Sequence, residues 1–183
     1  MDKEEVDQQL KIAVDQVKGG AMIITSTDAE YGLLCDASQE SAVSALLKSR
    51  GNEGLKEMVV LVNSDRLFNQ CVGDIPEVAW DLVDQTSQPL NLILDASKYL
   101  PESIRPDGKV SIRYVKKGHI AELINRINRP LLFVPMDPQE AEKSDRIKGT
   151  TLETLYIDLP TSRSKTAKVI QLESNGRFEI LRK

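Results

Sequence analysis

Short runs of Val, Ile, Leu and Met recur along this chain, and stretches with helical apolar spacing separate them. Residues 21–25, 58–62, 90–94, 110–115 and 131–134 are such runs, each long enough for a strand and too short for a packed helix. Between them, Val6, Leu10, Ala13, Val14 and Val17 repeat at the spacing of one helix face, and Ala42, Val43, Leu46 and Leu47 do so again. Val78, Ala79, Leu82 and Val83 form a further face, and residues 118–127 another. Strands and helices that alternate in this way build an α/β domain. Only 4% of the residues are aromatic, so branched aliphatic side chains must fill the interior. That bias suits strands buried on both faces.

Local chemistry marks several boundaries. Lys18-Gly19-Gly20 ends the first helix, with a cation in the last turn and glycine for the left-handed cap. Ser38 is placed to cap the second helix, but Ser41 stands where a full capping box needs Glu or Gln. Pro76 opens the next. Residues 137–150 are charged and weakly patterned, the pattern of a loop or short helix, and residues 154–159 read as a strand. Residues 168–172 and 177–181 flank Asn175-Gly176, a strong hairpin signal. No repeat, low-complexity tract or linker interrupts the pattern. The expectation is one domain over residues 1–183 with a twisted, open, mixed sheet and flanking helices.

Composition narrows the function classes. The formal net charge is −4, so a broadly basic nucleic-acid surface is excluded, and any phosphate site must be a local cluster of Lys and Arg. Cys35 and Cys71 match no zinc or redox spacing and read as buried reduced thiols. The start Met-Asp-Lys-Glu-Glu lacks an apolar leader, and no run approaches membrane-spanning length. The expectation is a cytoplasmic protein without a membrane partner. There is no Walker A loop, no Gly-x-Gly-x-x-Gly and no Gly-x-Ser-x-Gly elbow. The single histidine, His119, sits at a helix start and reads as a surface residue, so neither a His-based nucleophile nor a metal site is expected.

Cations remain. Lys48, Arg50 and Lys56 fall at the end of the second helix and in the loop after it, where Gly51 and Gly54 allow the chain to bend. Such a cluster can hold a polyphosphate, Arg as a planar fork of donors and Lys as a point charge; it can equally be a solvated loop. Arg113 interrupts the apolar run 110–115 and belongs either on a solvent face or on a cavity wall.

Taken together, four segments resemble the YrdC/YciO family in order and spacing. They are Thr27-Asp28-Ala29-Glu30-Tyr31-Gly32-Leu33-Leu34-Cys35-Asp36-Ala37 behind Gly19-Gly20; Leu47-Lys48-Ser49-Arg50 with Lys56; Pro89-Leu90-Asn91-Leu92-Ile93-Leu94; and Val110-Ser111-Ile112-Arg113 with Arg129-Pro130-Leu131. The resemblance covers residues 5–138 best. It implies an open sheet curled around a concave basic cavity, and an activity that makes threonylcarbamoyl-adenylate from ATP, threonine and bicarbonate for transfer RNA modification. ATP, with magnesium as its companion ion, is the implied cofactor. The resemblance makes Lys48 and Arg50 the implied catalytic cations. With Lys56 and Arg113 they would meet the nucleotide, while Thr27, Tyr31 and Arg113 would hold substrate. The chain departs from the family pattern at Ala29, where the family has a second threonine. It also has Thr86-Ser87-Gln88 for Trp-Pro-Gly, a longer segment between Arg50 and Lys56 without proline, and Met136 and Pro138 for the serine and asparagine that would meet ATP. These departures keep a second reading open: a non-catalytic paralogue that binds a nucleotide or RNA, with RNA or tRNA-modification proteins as partners.

Overall fold

The first helix, α1 (Lys3–Lys18), is fixed by its ends. The Asp2 carboxylate accepts from the Glu5 backbone N–H at 2.9 Å, and the Glu5 carboxylate accepts from the Asp2 N–H at 2.8 Å, a complete capping box. At the other end Gly20 takes φ +88°, the left-handed turn expected of Lys18-Gly19-Gly20. The chain then runs into β1 (Met22–Ser26) and doubles back at once as β2 (Tyr31–Asp36), with Ile23 opposite Leu34 and Ser26 opposite Tyr31. Residues 27–30 form the turn of this hairpin, inside the first of the four family-like segments.

A computed structural model describes residues 2–137, 139, 154–157 and 166–183. The second helix, α2 (Glu40–Glu57), follows Gln39 rather than Ser38. The Ser38 hydroxyl donates instead to Asp36 Oδ1 at 2.6 Å, so it is not the cap that its position suggests. The helix is broken at Gly51 (φ 63°, ψ −156°) and resumes, so Lys56 rides on a final helical turn and not in a loop. Next come β3 (Val59–Val62), α3 (Asp65–Cys71) and α4 (Glu77–Gln85), the last directly after Pro76. Helix α3 carries no long-range periodicity and is signalled only by Ser64, whose hydroxyl accepts from the Leu67 N–H at 3.3 Å. The remaining elements are β4 (Leu90–Asp95), two short 3₁₀ turns, β5 (Lys109–Tyr114), α5 (His119–Ile127), β6 (Leu131–Pro135), β7 (Thr154–Tyr156), β8 (Lys168–Leu172) and β9 (Phe178–Arg182).

The strands form one open sheet in the order β7-β1-β2-β6-β3-β5-β4-β8-β9. It is mixed: β1 with β7, β3 with β5 and β4 with β8 are parallel, and the other neighbours antiparallel. This is the single α/β domain with a twisted mixed sheet that the alternation predicts. Strands β1 and β3 are buried at every position, because α1 packs on β1 and β2, α2 on β2 and β6, and α5 on β3. Val, Ile and Leu dominate the core, as the scarcity of aromatics requires. The hairpin of β8 and β9 closes around Asn175-Gly176, with Glu173 and Arg177 joined at 2.8 Å. Most of the charged stretch 137–150 lies outside the described residues. So do residues 158–159, the far end of the expected strand 154–159, of which β7 is the described strand part.

Candidate functional site

The turn between β1 and β2 is built by Thr27. Its N–H donates to the Glu30 carbonyl at 2.8 Å and its hydroxyl to the same oxygen at 2.9 Å, while Oγ1 accepts from the N–H groups of Ala29 (3.2 Å) and Glu30 (3.1 Å). A threonine hydroxyl used in this way replaces backbone partners and fixes the turn. Thr27 is fully buried, and its hydroxyl serves the loop. The tight turn leaves Asp28 at its tip, 27% exposed, with Oδ1 2.9 Å from Arg113 Nη1.

Arg113 lies in the middle of β5, between Leu61 of β3 and Asn91 of β4. It is 1% exposed, so of the two settings open to a mid-strand cation the solvent face is ruled out. Taking a guanidinium out of water is costly unless it is paired and hydrogen-bonded. Here Nη1 donates to Asp28, Nε donates to Asn91 Oδ1 at 2.7 Å, and the guanidinium carbon stands 5.9 Å from the centre of the Phe133 ring. The third nitrogen, Nη2, is buried and has no hydrogen-bond partner among the described residues.

Gly32 explains how Phe133 reaches this position. A Cβ on Gly32 would run into the Phe133 ring and the Val134 carbonyl oxygen. The glycine of Tyr31-Gly32-Leu33 is therefore needed for close approach across β2 and β6, and the ring it admits becomes the platform of Arg113.

The other cations gather at the broken end of α2. Arg50 Nη2 donates to the Pro135 carbonyl at 3.3 Å, at the end of β6, and its stem packs on Gly54, where an added Cβ would stand 2.5 Å from Arg50 Cβ. Lys48 and Lys56 are exposed. Arg50 and Arg113 thus both reach β6, at Pro135 and Phe133, about 7 Å apart along the strand. Tyr31 is half-buried, and its carbonyl accepts from the Met136 N–H at 2.9 Å. Met136 is 7% exposed and brings no donor from its side chain, and neither does Ala29, at 6%. Pro138 lies outside the described residues.

A second buried charge ties two of the resembling segments together. Asp36 accepts from the Ser38 N–H (2.9 Å), the Ser38 hydroxyl (2.6 Å), Gln39 Nε2 (3.0 Å) and Arg129 Nη1 (2.8 Å). The bond to Asp36 holds the Arg129 guanidinium above its ordinary pKa. With the Ala37 N–H on the Pro130 carbonyl at 3.0 Å, this joins the start of α2 to the start of β6. Burial pushes the Cys35 thiol well up and that of Cys71 up to about 12, so both are inert at neutral pH. His119 opens α5 and is partly covered. Among the described residues no group of three His, Cys, Asp or Glu could hold a metal ion, and no helix is long and apolar enough to cross a membrane.

The described residues thus bring one buried guanidinium, Arg113, against Phe133 and a second guanidinium, that of Arg50, to Pro135 at the end of β6, while Lys48 and Lys56 stay exposed on α2. The residue pattern singles out Lys48, Arg50, Lys56 and Arg113, and the family resemblance adds Thr27 and Tyr31. Neither identifies Asp28, Asn91 and Phe133 as the partners of Arg113. The available signal was Asn91, a polar residue inside an apolar run, since a cation in a neighbouring strand needs an acceptor there.

The family model Sua5/YciO/YrdC, described as telomere recombination, matches residues 15–183. A threonylcarbamoyl-AMP synthase of Mus musculus is 26% identical over 193 residues, covering 96% of this chain and 66% of that protein. Among solved structures, P. abyssi Sua5 complexed with L-threonine superposes with a TM-score of 0.76 at 22% identity, over 89% of this chain and 50% of that one. E. coli YciO does so with a TM-score of 0.75 at 18% identity, over 96% and 89%. The chain therefore spans two thirds or less of the mouse and archaeal proteins, and nearly all of YciO. The order of the four sequence segments agrees with the match over residues 15–183: this chain belongs to the Sua5/YciO/YrdC family.

Proposed function

We propose that this chain acts as a threonylcarbamoyl-AMP synthase, taking L-threonine at Arg113 and ATP at Lys48, Arg50 and Lys56. The observation that carries the reading is the buried Nη2 of Arg113, which has no partner among the described residues and whose guanidinium is held by Asp28 of the turn that Thr27 builds. A single buried donor suits one oxygen of a small carboxylate. A triphosphate calls for several cations in reach of solvent, which describes the end of α2. The P. abyssi relative, solved with L-threonine, supports a threonine site in this fold. In the reaction, the threonine amine condenses with bicarbonate, losing water, and an oxygen of the resulting carbamate attacks the α-phosphorus of ATP and expels pyrophosphate. Charge develops on the leaving pyrophosphate, which is where fixed cations help most. The chain's part is to position the reactants and stabilise that charge, work that needs no histidine. Magnesium would enter with the nucleotide.

A second reading rests on Met136 and Ala29. Both are buried and without side-chain donors, in places where the family pattern has serine and threonine, and each lost partner typically costs about 1–3 kcal/mol. A member that keeps the threonine-side geometry and has lost nucleotide affinity would be a binding paralogue. Incubation with ATP, bicarbonate and L-threonine separates the two. Release of pyrophosphate with an acyl-adenylate product is the expected result, and Arg50→Ala should lower ATP affinity at least tenfold. Threonine binding without ATP binding by calorimetry would leave only the paralogue.

A further inference from the structure

Asn91 is the one polar side chain of the run 90–94. Its Oδ1 accepts from Arg113 Nε at 2.7 Å, both side chains are buried, at 4% and 1% exposure, and their backbones lie opposite each other across β4 and β5. We infer that Asn91 is a positioning and specificity residue: it fixes the Arg113 guanidinium so that Nη2 alone is offered to the anionic group of the ligand. The inference rests on the reading of Arg113 as the threonine site.

The geometry runs as follows. A guanidinium is planar, with five N–H donors in a fixed fork. Nε carries one of them, and Asn91 takes it. Nη1 is held by Asp28 at 2.9 Å. Two anchors on two different nitrogens fix the plane and its rotation, and so the direction of Nη2. The Phe133 ring under the guanidinium removes the remaining tilt. Asp28 is 27% exposed, so the carboxylate on Nη1 reaches toward the surface while the guanidinium it holds is buried. An acceptor as short as a threonine hydroxyl would hold Nε at a different depth, and the arm offered to the ligand would shift with it. Asn91 is thereby a residue by which this chain sets its own ligand pose, with the ligand class a small carboxylate.

Two probes and four variants test this: L-threonine and its carboxamide, which lacks the carboxylate, bound by calorimetry to wild type, Arg113→Gln, Asn91→Leu, Asn91→Asp and the double variant Asn91→Leu with Arg113→Gln. Asn91→Leu should weaken L-threonine roughly ten- to a hundredfold and leave the carboxamide unchanged, because Nε loses its acceptor and turns away. Asn91→Asp keeps the acceptor but neutralises the cation, and should show the same selective loss in a protein that still folds. The double variant of Asn91→Leu and Arg113→Gln should bind no more weakly than Arg113→Gln alone. Equal weakening of both probes, or unchanged threonine affinity in either Asn91 variant while Arg113→Gln loses it, overturns the assignment of Asn91 alone. A wild type that binds no threonine, or an Arg113→Gln variant that binds it normally, overturns the threonine site and Asn91 with it.

Discussion

At Gly32 the packing of the site comes down to a single hydrogen atom. The Phe133 ring and the Val134 carbonyl occupy the space a β-carbon would take. Because backbone stands on one side and a ring held under Arg113 on the other, neither can move aside cheaply. Gly32→Ala is expected to cost about 3 kcal/mol, read as a lower urea midpoint, and to weaken threonine binding along with stability by moving the platform of Arg113. Arg113 itself was legible in part. A cation inside an apolar run announces that something must face it, but the sequence does not say that Asp28, 85 positions away, and Asn91, 22 positions away, do so. Thr27 is the converse case. Its family resemblance suggests a ligand contact, and the structure shows the hydroxyl closing a turn.

Among the elements, those with a local cause were readable. Lys18-Gly19-Gly20 stops α1 and Pro76 starts α4 because cap chemistry acts within a few residues. Strand β2 was hidden by its own glycine and by a turn with no Asn-Gly or Asp-Gly signal, and α3 is too short to show a period. The break in α2 is the element that matters for the cation cluster. At φ 63° and ψ −156° Gly51 sits in a region of backbone space that is essentially glycine's alone, although nothing lies within 4 Å of an added Cβ. Gly51→Ala should therefore cost about 2 kcal/mol through backbone strain alone. If the strain is relieved by straightening α2, ATP affinity should fall as Arg50 leaves Pro135. Urea unfolding and ATP calorimetry read the two effects separately.

For the molecule as a whole, two buried thiols and one half-buried phenol shape the alkaline limit. Burial raises the Cys35 thiol and takes that of Cys71 from 9.0 to about 12; burial, then the hydrogen bond to Asp65, takes Tyr114 from 10.0 to about 12. A pKa raised in the folded state means that the fold holds the proton more tightly than the unfolded chain does. The stability it brings is complete below the unfolded pKa and drains away as pH climbs toward the folded one. The urea midpoint should thus be insensitive to these groups up to pH 9 and fall between pH 9 and 12. Cys71→Ala should make that fall shallower, and a thiol reagent at pH 8 should find both cysteines only after unfolding.

By itself, the sequence determined the α/β class, most of the strand runs, the end of α1, the start of α4 and the family, because apolar period, cap chemistry and motif order are properties of neighbouring residues. The tertiary structure alone decided the strand order β7-β1-β2-β6-β3-β5-β4-β8-β9 and the company of each cation. Lys48 and Lys56 were left at the surface, Arg50 was drawn to the end of β6, and Arg113 was buried between Asp28 and Asn91 with one arm open. The physical reason is that a buried charge is tolerated only where its partners converge, and convergence across strands is fixed by register, which no stretch of the chain carries on its own.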